Sequence, residues 1–176
     1  MKHISLIACF AIFIGVGCKK NKPKTELEKL PPITQTGANT FGCLINGKAW
    51  TPKGFQFKPN FFIIVDPTFQ NGNFDLRVYQ YSNQKFERIN IFSNDIRSIG
   101  NYSITPNGFV FVDFRNDFSS CNYLHSIENF SFGYLKITKY DLQNGIVSGE
   151  FDCTMYDSAI NCDTIKITNG RFDYKL

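Results

Sequence analysis

Acid–base chemistry in this chain would depend on His125, because the only other histidine, His3, lies next to the apolar N-terminal run. Asp113 and Asp117 precede His125, so a Ser-His-Asp triad is conceivable. The sequence has no Gly-x-Ser-x-Gly turn to carry a nucleophilic serine. A single histidine in a polar loop is typical of a solvated side chain. We therefore assign no catalytic residue and predict that the protein is not an enzyme.

Metal and cofactor chemistry has weak support in the sequence. Cys121 and His125 are too few to hold zinc. One oxygen-rich loop contains four possible Ca²⁺ ligands, Asp66, Asn71, Asn73 and Asp75. Their spacing fits no EF-hand, and turn formation explains them equally well. Phosphate-binding and dinucleotide-binding glycine motifs are absent from the sequence. We predict no metal and no cofactor.

The N-terminal residues predict export. Lys2 is followed by an apolar run over residues 4–16 and by the small residues Gly15-Val16-Gly17. This pattern indicates a signal peptide over residues 1–17, since a membrane span needs about 20 apolar residues. The cysteine at position 18 resembles the bacterial lipoprotein signal, in which the thiol is lipidated and becomes the mature N-terminus. We predict lipidation of Cys18, although Gly15 stands where that pattern prefers leucine.

Residues 18–36 hold five lysines and three prolines without apolar periodicity, so they are predicted to form a flexible tether. Fully extended, this segment would reach roughly 60 Å. Residues 37–176 then form a single domain.

The net charge of +4 comes entirely from the N-terminal part of the chain, since residues 37–176 hold thirteen basic and thirteen acidic side chains. A neutral domain with scattered charges argues against nucleic acid as a partner. The expected partners are the membrane, reached through the lipid anchor, and envelope proteins or glycans. Because the residues after Cys18 are basic, we expect anchoring in the outer membrane, facing the periplasm.

Strand signals dominate residues 37–176. Alternating or continuous apolar segments are separated by Gly and Asn turns, of which Asn46-Gly47 is the clearest hairpin signal. The predicted strands are 40–45, 48–51, 61–65, 74–81, 86–93, 109–114, 130–140, 146–156, 162–168 and 171–175, with a further short strand near Ile104. No segment has helical periodicity. We predict an all-β antiparallel sandwich, with a closed, calycin-like barrel as the alternative.

Three segments share the pattern Gly-x-Phe-Asp, at residues 72–75, 149–152 and 170–173. Their irregular spacing excludes a tandem repeat. We expect each glycine to leave a turn or bulge, each phenylalanine to enter the core, and Asp75, Asp152 and Asp173 to face water.

Two motifs carry a resemblance to a known family. Residues 39–50 read NTFGCLINGKAW, and the C-terminal part contains IVSGEF at 146–151 and CDTIKITNGRFD at 162–173. These segments resemble a family of uncharacterised Bacteroidota lipoproteins. The resemblance implies a lipid-anchored envelope protein and carries no activity.

Four cysteines remain in the domain, and export predicts two disulfides. Pairing Cys153 with Cys162 across a hairpin would place apolar and polar side chains on the same face, although a bulge would permit it. We predict Cys43 with Cys153, and Cys121 with Cys162.

Asp157-Ser158-Ala159 and Asp163-Thr164-Ile165 resemble the short O-glycosylation motif of Bacteroidota envelope proteins. Ser158 is predicted at a turn and is the glycosylation candidate, whereas Thr164 is predicted within a strand.

These observations predict a lipid-anchored, non-enzymatic binding or structural module. One alternative is a carrier of small apolar ligands, with a cavity lined by Trp50, Phe61, Phe62, Phe109 and Phe111. Another is a carbohydrate-binding or hydrolytic domain, which requires exposed aromatic residues on one sheet face or two carboxylates in a cleft.

Overall fold

The computed structural model describes residues 22–54, 57, 59–126, 129–158 and 161–176. The signal peptide and Cys18 lie outside the described residues. Apart from a short 3-10 helix, Leu27–Lys29, the regular elements are strands. The strands are β1 (Thr40–Ile45), β2 (Lys48–Trp50), β3 (Phe61–Asp66), β4 (Asn73–Ser82), β5 (Lys85–Ser93), β6 (Gly100–Ile104), β7 (Val110–Asn116), β8 (Ser131–Asp141), β9 (Ile146–Met155) and β10 (Ile165–Lys175).

All ten strands belong to one sheet, in the order β2-β1-β10-β9-β8-β6-β7-β5-β4-β3. Neighbouring strands are antiparallel except β6 and β7, which share a single parallel pair. Among the described residues β2 and β3, at the two ends of the sheet, are not paired with each other, so the barrel alternative is not formed. The predicted all-β fold is confirmed, and its arrangement is that of a β-sandwich.

The two halves of the sheet face each other across a single core. Phe74 of β4 contacts Phe172 of β10 with ring centroids 6.1 Å apart. At the open end of the sheet, Phe61 of β3 lies 5.6 Å from Phe41 of β1. Because side chains alternate along a strand, the inner face of every long strand contributes to this core.

Two of the Gly-x-Phe-Asp segments pack against each other. Gly170 pairs with Phe151, and Phe172 pairs with Gly149, across β9 and β10. A Cβ atom on Gly149 would lie 2.5 Å from the Phe172 ring, and one on Gly170 would lie 2.5 Å from the Phe151 ring. The phenylalanines enter the core as predicted. Gly170 leaves a β-bulge as predicted, whereas Gly149 lies inside β9. Each of the two glycines also gives space to a ring on the neighbouring strand, which was not predicted.

The C-terminal part of the chain forms one long strand where the sequence predicts two. Asn169-Gly170 was predicted as a hairpin turn, but Asn169 has φ +54° and lies in a register shift between Ile167 and Gly170. The positive φ of Asn169 therefore makes a β-bulge inside β10, and the strand continues.

The predicted tether is wrong over its second half. Leu30 is buried, and Pro31 packs over Gly42 of β1 so closely that a Cβ there would lie 2.6 Å from the proline ring. Glu26 also accepts a hydrogen bond from the backbone N–H of Ala49 on the edge strand β2, at 2.8 Å. Apolar burial and hydrogen bonding therefore hold residues 26–36 against the domain; we call residues 26–38 the N-terminal strap.

Asp173 is the main anchor of the strap. The prediction that it faces water was wrong, because the strap covers the outer face of β10 there and leaves Asp173 with only 1% exposure. Its carboxylate accepts hydrogen bonds from five groups of the strap and from the Ser148 hydroxyl: Thr34 Oγ1, Thr36 N, Thr36 Oγ1, Gly37 N, Ala38 N and Ser148 Oγ.

Candidate functional site

The predicted disulfide between Cys121 and Cys162 is confirmed. The two Cα atoms are 5.6 Å apart, and the bridge joins the loop after β7 to the loop before β10. The bridge therefore ties two irregular segments whose backbones have few strand contacts of their own.

The predicted disulfide between Cys43 and Cys153 is wrong. Both cysteines are free and buried. Cys43 lies on β1 and Cys153 on β9, and β10 runs between these strands. Two strand spacings amount to about 10 Å, beyond the Cα separation that a disulfide spans. Burial raises the pKa of the Cys153 thiol to about 12 and that of Cys43 well above its usual value, so both are unreactive core side chains.

The described residues contain one group with the composition of a metal site: Cys121, Asp157 and Cys162, whose ligand atoms lie within 4.8 Å of one another. Both sulfur atoms belong to the disulfide. A disulfide sulfur is not a thiolate ligand, so this group does not constitute a metal site.

His125 and the two aspartates do not form a catalytic array. Asp113 accepts a hydrogen bond from the backbone N–H of His125 at 2.7 Å, while the imidazole packs on Phe111 with centroids 4.4 Å apart. Asp117 instead accepts a hydrogen bond from Arg115 Nε at 3.0 Å. The structure thus gives each of these residues a positioning contact with a neighbouring side chain or backbone group.

The two carboxylates among the four possible Ca²⁺ ligands, Asp66 and Asp75, are engaged by protein groups. Asp66 accepts hydrogen bonds from the backbone N–H and hydroxyl of Thr68, which is the geometry of a turn. The prediction that Asp75 faces water was wrong, because Asp75 is buried and forms a two-point ion pair with Arg77, whose Nε donates at 3.0 Å. Turn formation and ion pairing therefore account for the two carboxylates of this loop.

The five aromatic residues proposed to line a cavity divide between the inside and the outside of the sheet. Trp50 and Phe61 are buried in the core, and Trp50 Nε1 donates to Glu87 Oε2 at 2.7 Å. Phe62 and Phe111 lie on the outer face of the sheet, and Phe109 is 68% exposed before β7. An interior cavity lined by all five is therefore not formed.

The outer surface of β3, β4, β5 and β7 is unusually rich in rings, and we call it the aromatic face. Strand alternation together with the register of these four strands places its members side by side. They are Phe62, Ile64, Asp75, Arg77, Tyr79, Tyr81, Phe86, Arg88, Asn90, Phe92, Phe111, Asp113 and Arg115. An outer sheet face in contact with water is ordinarily polar, so this surface is a candidate binding site.

The rings of the aromatic face lie in two groups. In the larger group Tyr79 stacks on Tyr81 at 5.6 Å with an interplanar angle of 12°, and also on Phe62 at 6.2 Å. Phe86 completes that group, 6.0 Å from Tyr81. The smaller group is Phe92 and Phe111, whose centroids are 6.4 Å apart. All six rings are half-buried, so they form an apolar surface whose geometry is set by contacts between the rings.

Three arginines lie between and beside the rings. The Arg77 guanidinium lies 5.9 Å from the Phe62 centroid, and that of Arg115 lies 5.0 Å from the Phe86 centroid. Both are fixed by carboxylates, Arg77 by Asp75 and Arg115 by Asp117. Hydrogen bonding to Asp75 raises the pKa of Arg77 further, so this cation is permanent. The face therefore combines apolar ring surface with fixed donors and acceptors.

Sequence reasoning missed the aromatic face because it followed the inward positions. The alternation of Phe74, Leu76 and Val78 identifies the core side of β4. The intervening positions, which include Tyr79 and Tyr81, belong to the outer side and carry the signal. Recognising that signal requires the strand order, since the residues of β3, β5 and β7 join this face only through the tertiary pairing.

Ser158 lies exposed in the loop after β9, where its backbone N–H donates to Asn129 Oδ1 at 2.9 Å. Thr164 was predicted within a strand, but β10 begins at Ile165 and Thr164 is exposed outside it. Glycosylation of Ser158 stays a prediction.

Comparisons with protein families, with curated proteins and with solved structures gave no match to this chain. The resemblance to Bacteroidota lipoproteins therefore stays a prediction. Within the described part of the chain, no helix has both the length and the apolar character needed to cross a bilayer.

Proposed function

We propose that this protein is a lipid-anchored, non-enzymatic binding module of the bacterial cell envelope and that its ligand is a glycan bound on the aromatic face. Attachment is through Cys18, in the outer membrane and facing the periplasm. The support for attachment is the N-terminal sequence pattern. The support for binding is the aromatic face, which is the single observation that carries the proposal.

A sheet face of this composition suits sugar rings. The apolar faces of a sugar pack against aromatic side chains such as Tyr79 and Tyr81, whose phenolic groups add hydrogen-bonding capacity. Arginine and aspartate side chains supply donors and acceptors for sugar hydroxyls. Stacking within the ring group fixes its geometry before the ligand arrives, which lowers the entropic cost of binding.

Two other candidates have less support. A carrier of apolar ligands needs the inner face of the strands, where Phe74, Phe151 and Phe172 fill the space with less than 4% exposure each. A hydrolase of the paired-carboxylate type needs two carboxylates free to face a substrate. Asp75 and Asp173 have their oxygens engaged by Arg77 and by the strap.

The proposal is tested by affinity electrophoresis of the purified protein in gels containing dextran, mannan or polygalacturonate. We expect at least one polysaccharide to retard the protein. Replacing both Tyr79 and Tyr81 with alanine removes the centre of the ring group and is expected to weaken binding by about tenfold or more.

The matched control replaces Tyr134 and Tyr156 with alanine in the same way. These two tyrosines are exposed and lie outside the aromatic face. Their substitution should leave retardation unchanged. Loss of binding in this control alone would move the site to the other side of the molecule. Absence of binding to a broad panel of polysaccharides would contradict the proposed function.

A further inference from the structure

The aromatic face contains one arginine, Arg88, that forms no ion pair with the residues that the structure describes. Arg88 lies on β5, between Tyr79 of β4 and Arg115 of β7 in the strand register. Its Nε is buried and has no hydrogen-bond partner among the described residues. Arg88 as a whole is only half-buried. A partly desolvated charged group that lacks a partner is costly, so the unpaired charge of Arg88 favours an external anion.

The acidic side chains of the face are engaged elsewhere. Asp75 binds Arg77, and Asp117, at the end of β7, binds Arg115. Asp113 is opposite Asn90 and accepts the backbone N–H of His125. None of these carboxylates forms an ion pair with Arg88 within the part of the chain that the structure describes.

Arg88 and Arg115 are also directly opposite each other on adjacent strands. Directly opposed like charges on neighbouring strands destabilise a sheet. An anion bound at the solvent-accessible part of the Arg88 side chain would relieve this repulsion. Guanidinium groups suit carboxylate and sulfate oxygens in particular, because their planar donors match two acceptor oxygens at once.

We infer that the glycan bound by the aromatic face is an acidic one, with a carboxylate or sulfate group held by Arg88 beside Arg115 and the sugar ring lying against Tyr79. This inference rests on the proposed glycan-binding function and specifies the class of its ligand. The acidic group and the sugar ring are adjacent in such a ligand, as are Arg88 and Tyr79 in the register.

The experiment compares the binding of four soluble probes at a physiological ionic strength of about 0.15 M. The probes are polygalacturonate, dextran sulfate, neutral dextran and poly-glutamate. We expect the full protein to bind polygalacturonate or dextran sulfate about tenfold or more tightly than dextran, as one charge-assisted contact provides. The first two probes distinguish carboxylate from sulfate. Poly-glutamate carries charge without sugar rings and should bind weakly.

Three variants test whether Arg88 is the residue that recognises the acidic group. Arg88→Gln is expected to reduce affinity for the acidic polysaccharide by about tenfold and to leave dextran affinity unchanged. Arg88→Lys keeps the charge without the planar donors and should retain part of the affinity, which also guards against a folding defect in the glutamine variant. Arg97→Gln changes an exposed arginine outside the face and should have no effect.

The outcomes separate the two proposals. Equal affinity for dextran and for the acidic polysaccharides overturns the acidic-glycan inference, as does an unchanged affinity of Arg88→Gln for the acidic polysaccharide. Either result leaves the proposed glycan-binding function standing. Strong binding of poly-glutamate shows that charge alone is recognised, which also overturns the inference. Failure of every polysaccharide to bind overturns the proposed function itself.

Discussion

Asp173 shows how one residue can connect distant parts of a chain. Strand alternation correctly directs its side chain away from the core, as expected for a residue that follows Phe172. The strap then covers that position, and a carboxylate that would have been hydrated accepts hydrogen bonds from the strap and from Ser148. Burial by itself would raise the pKa of Asp173, but the hydrogen bonds from Thr34, Ser148 and the backbone outweigh it and hold that pKa well below its ordinary value.

Replacing Asp173 with asparagine should lower the free energy of unfolding by about 3 kcal/mol, because an amide cannot accept all of these hydrogen bonds and leaves buried donors unsatisfied. Urea denaturation at pH 7 measures this loss. The control Asp163→Asn alters an exposed carboxyl side chain and should change stability by less than about 0.5 kcal/mol.

The same contact predicts a dependence on pH. The pKa of Asp173 is lower in the folded protein than in the unfolded chain, so the folded state binds fewer protons. Its contribution is therefore complete above the unfolded value of about 3.9 and is lost as the pH falls towards the folded value. Asp173→Asn should show a shallower loss of stability below about pH 4; identical acid titrations of the two proteins would contradict this role.

At the scale of elements, the strands β9 and β10 are matched by reciprocal glycine and phenylalanine pairs. The Gly-x-Phe spacing occurs on both strands, and antiparallel pairing brings the glycine of each strand opposite the phenylalanine of the other strand. The bulge at Asn169 sets the register that makes this possible. The Gly-x-Phe pattern, which the sequence shows as a recurring local motif, therefore serves to pack two neighbouring strands against each other.

Gly149→Ala and Gly170→Ala should each destabilise the fold by about 1–3 kcal/mol, because the new methyl group would overlap a core ring. Thermal and urea denaturation measure the effect. Gly100→Ala is the matched control, since the nearest atoms to its added Cβ are 3.3 Å away on the Tyr102 side chain.

A second variant tests the physical cause. Combining Gly170→Ala with Phe151→Leu removes part of the ring that the methyl group meets. The double substitution should lower the free energy of unfolding by less than the sum of the losses caused by the two single substitutions. Additive losses would show that crowding between residues 170 and 151 is not the reason for the destabilisation.

At the scale of the whole molecule, the strap bears on how the proposed lipid anchor would present the domain. The structure fixes the chain to the domain from Glu26 onward. With that proposed anchor, the residues from Cys18 to Glu26 could span at most roughly 25–30 Å. On the proposed lipid anchor, the domain is therefore held close to the bilayer by its β2 edge.

Lipidation itself is tested by expressing the full chain in a Gram-negative bacterium with a labelled fatty acid. We expect the wild-type protein to carry the label and to be recovered with the membranes. The Cys18→Ser variant should carry no label and should not be recovered with the membranes. Cys9→Ser is the matched control, because Cys9 lies within the predicted signal peptide and should be removed with it. Membrane association and labelling of Cys18→Ser would contradict the anchor.

The sequence by itself determined the features that depend on local spacing. Alternation and Gly/Asn turns identified most strands, the phenylalanines of the Gly-x-Phe segments were assigned to the core, and the loop cysteines Cys121 and Cys162 were paired correctly. The strands and the core phenylalanines follow from side-chain alternation and turn chemistry within about ten residues. The cysteine pair is separated by 41 residues, and its assignment came from placing both cysteines near loops.

The tertiary structure decided everything that depends on strand order. Inserting β10 between β1 and β9 separates Cys43 from Cys153, and docking of the strap buries Asp173. The aromatic face exists only because β3, β4, β5 and β7 lie side by side. Neighbours across a sheet are selected by long-range packing of the whole core, and a single sequence contains no local signal for that choice.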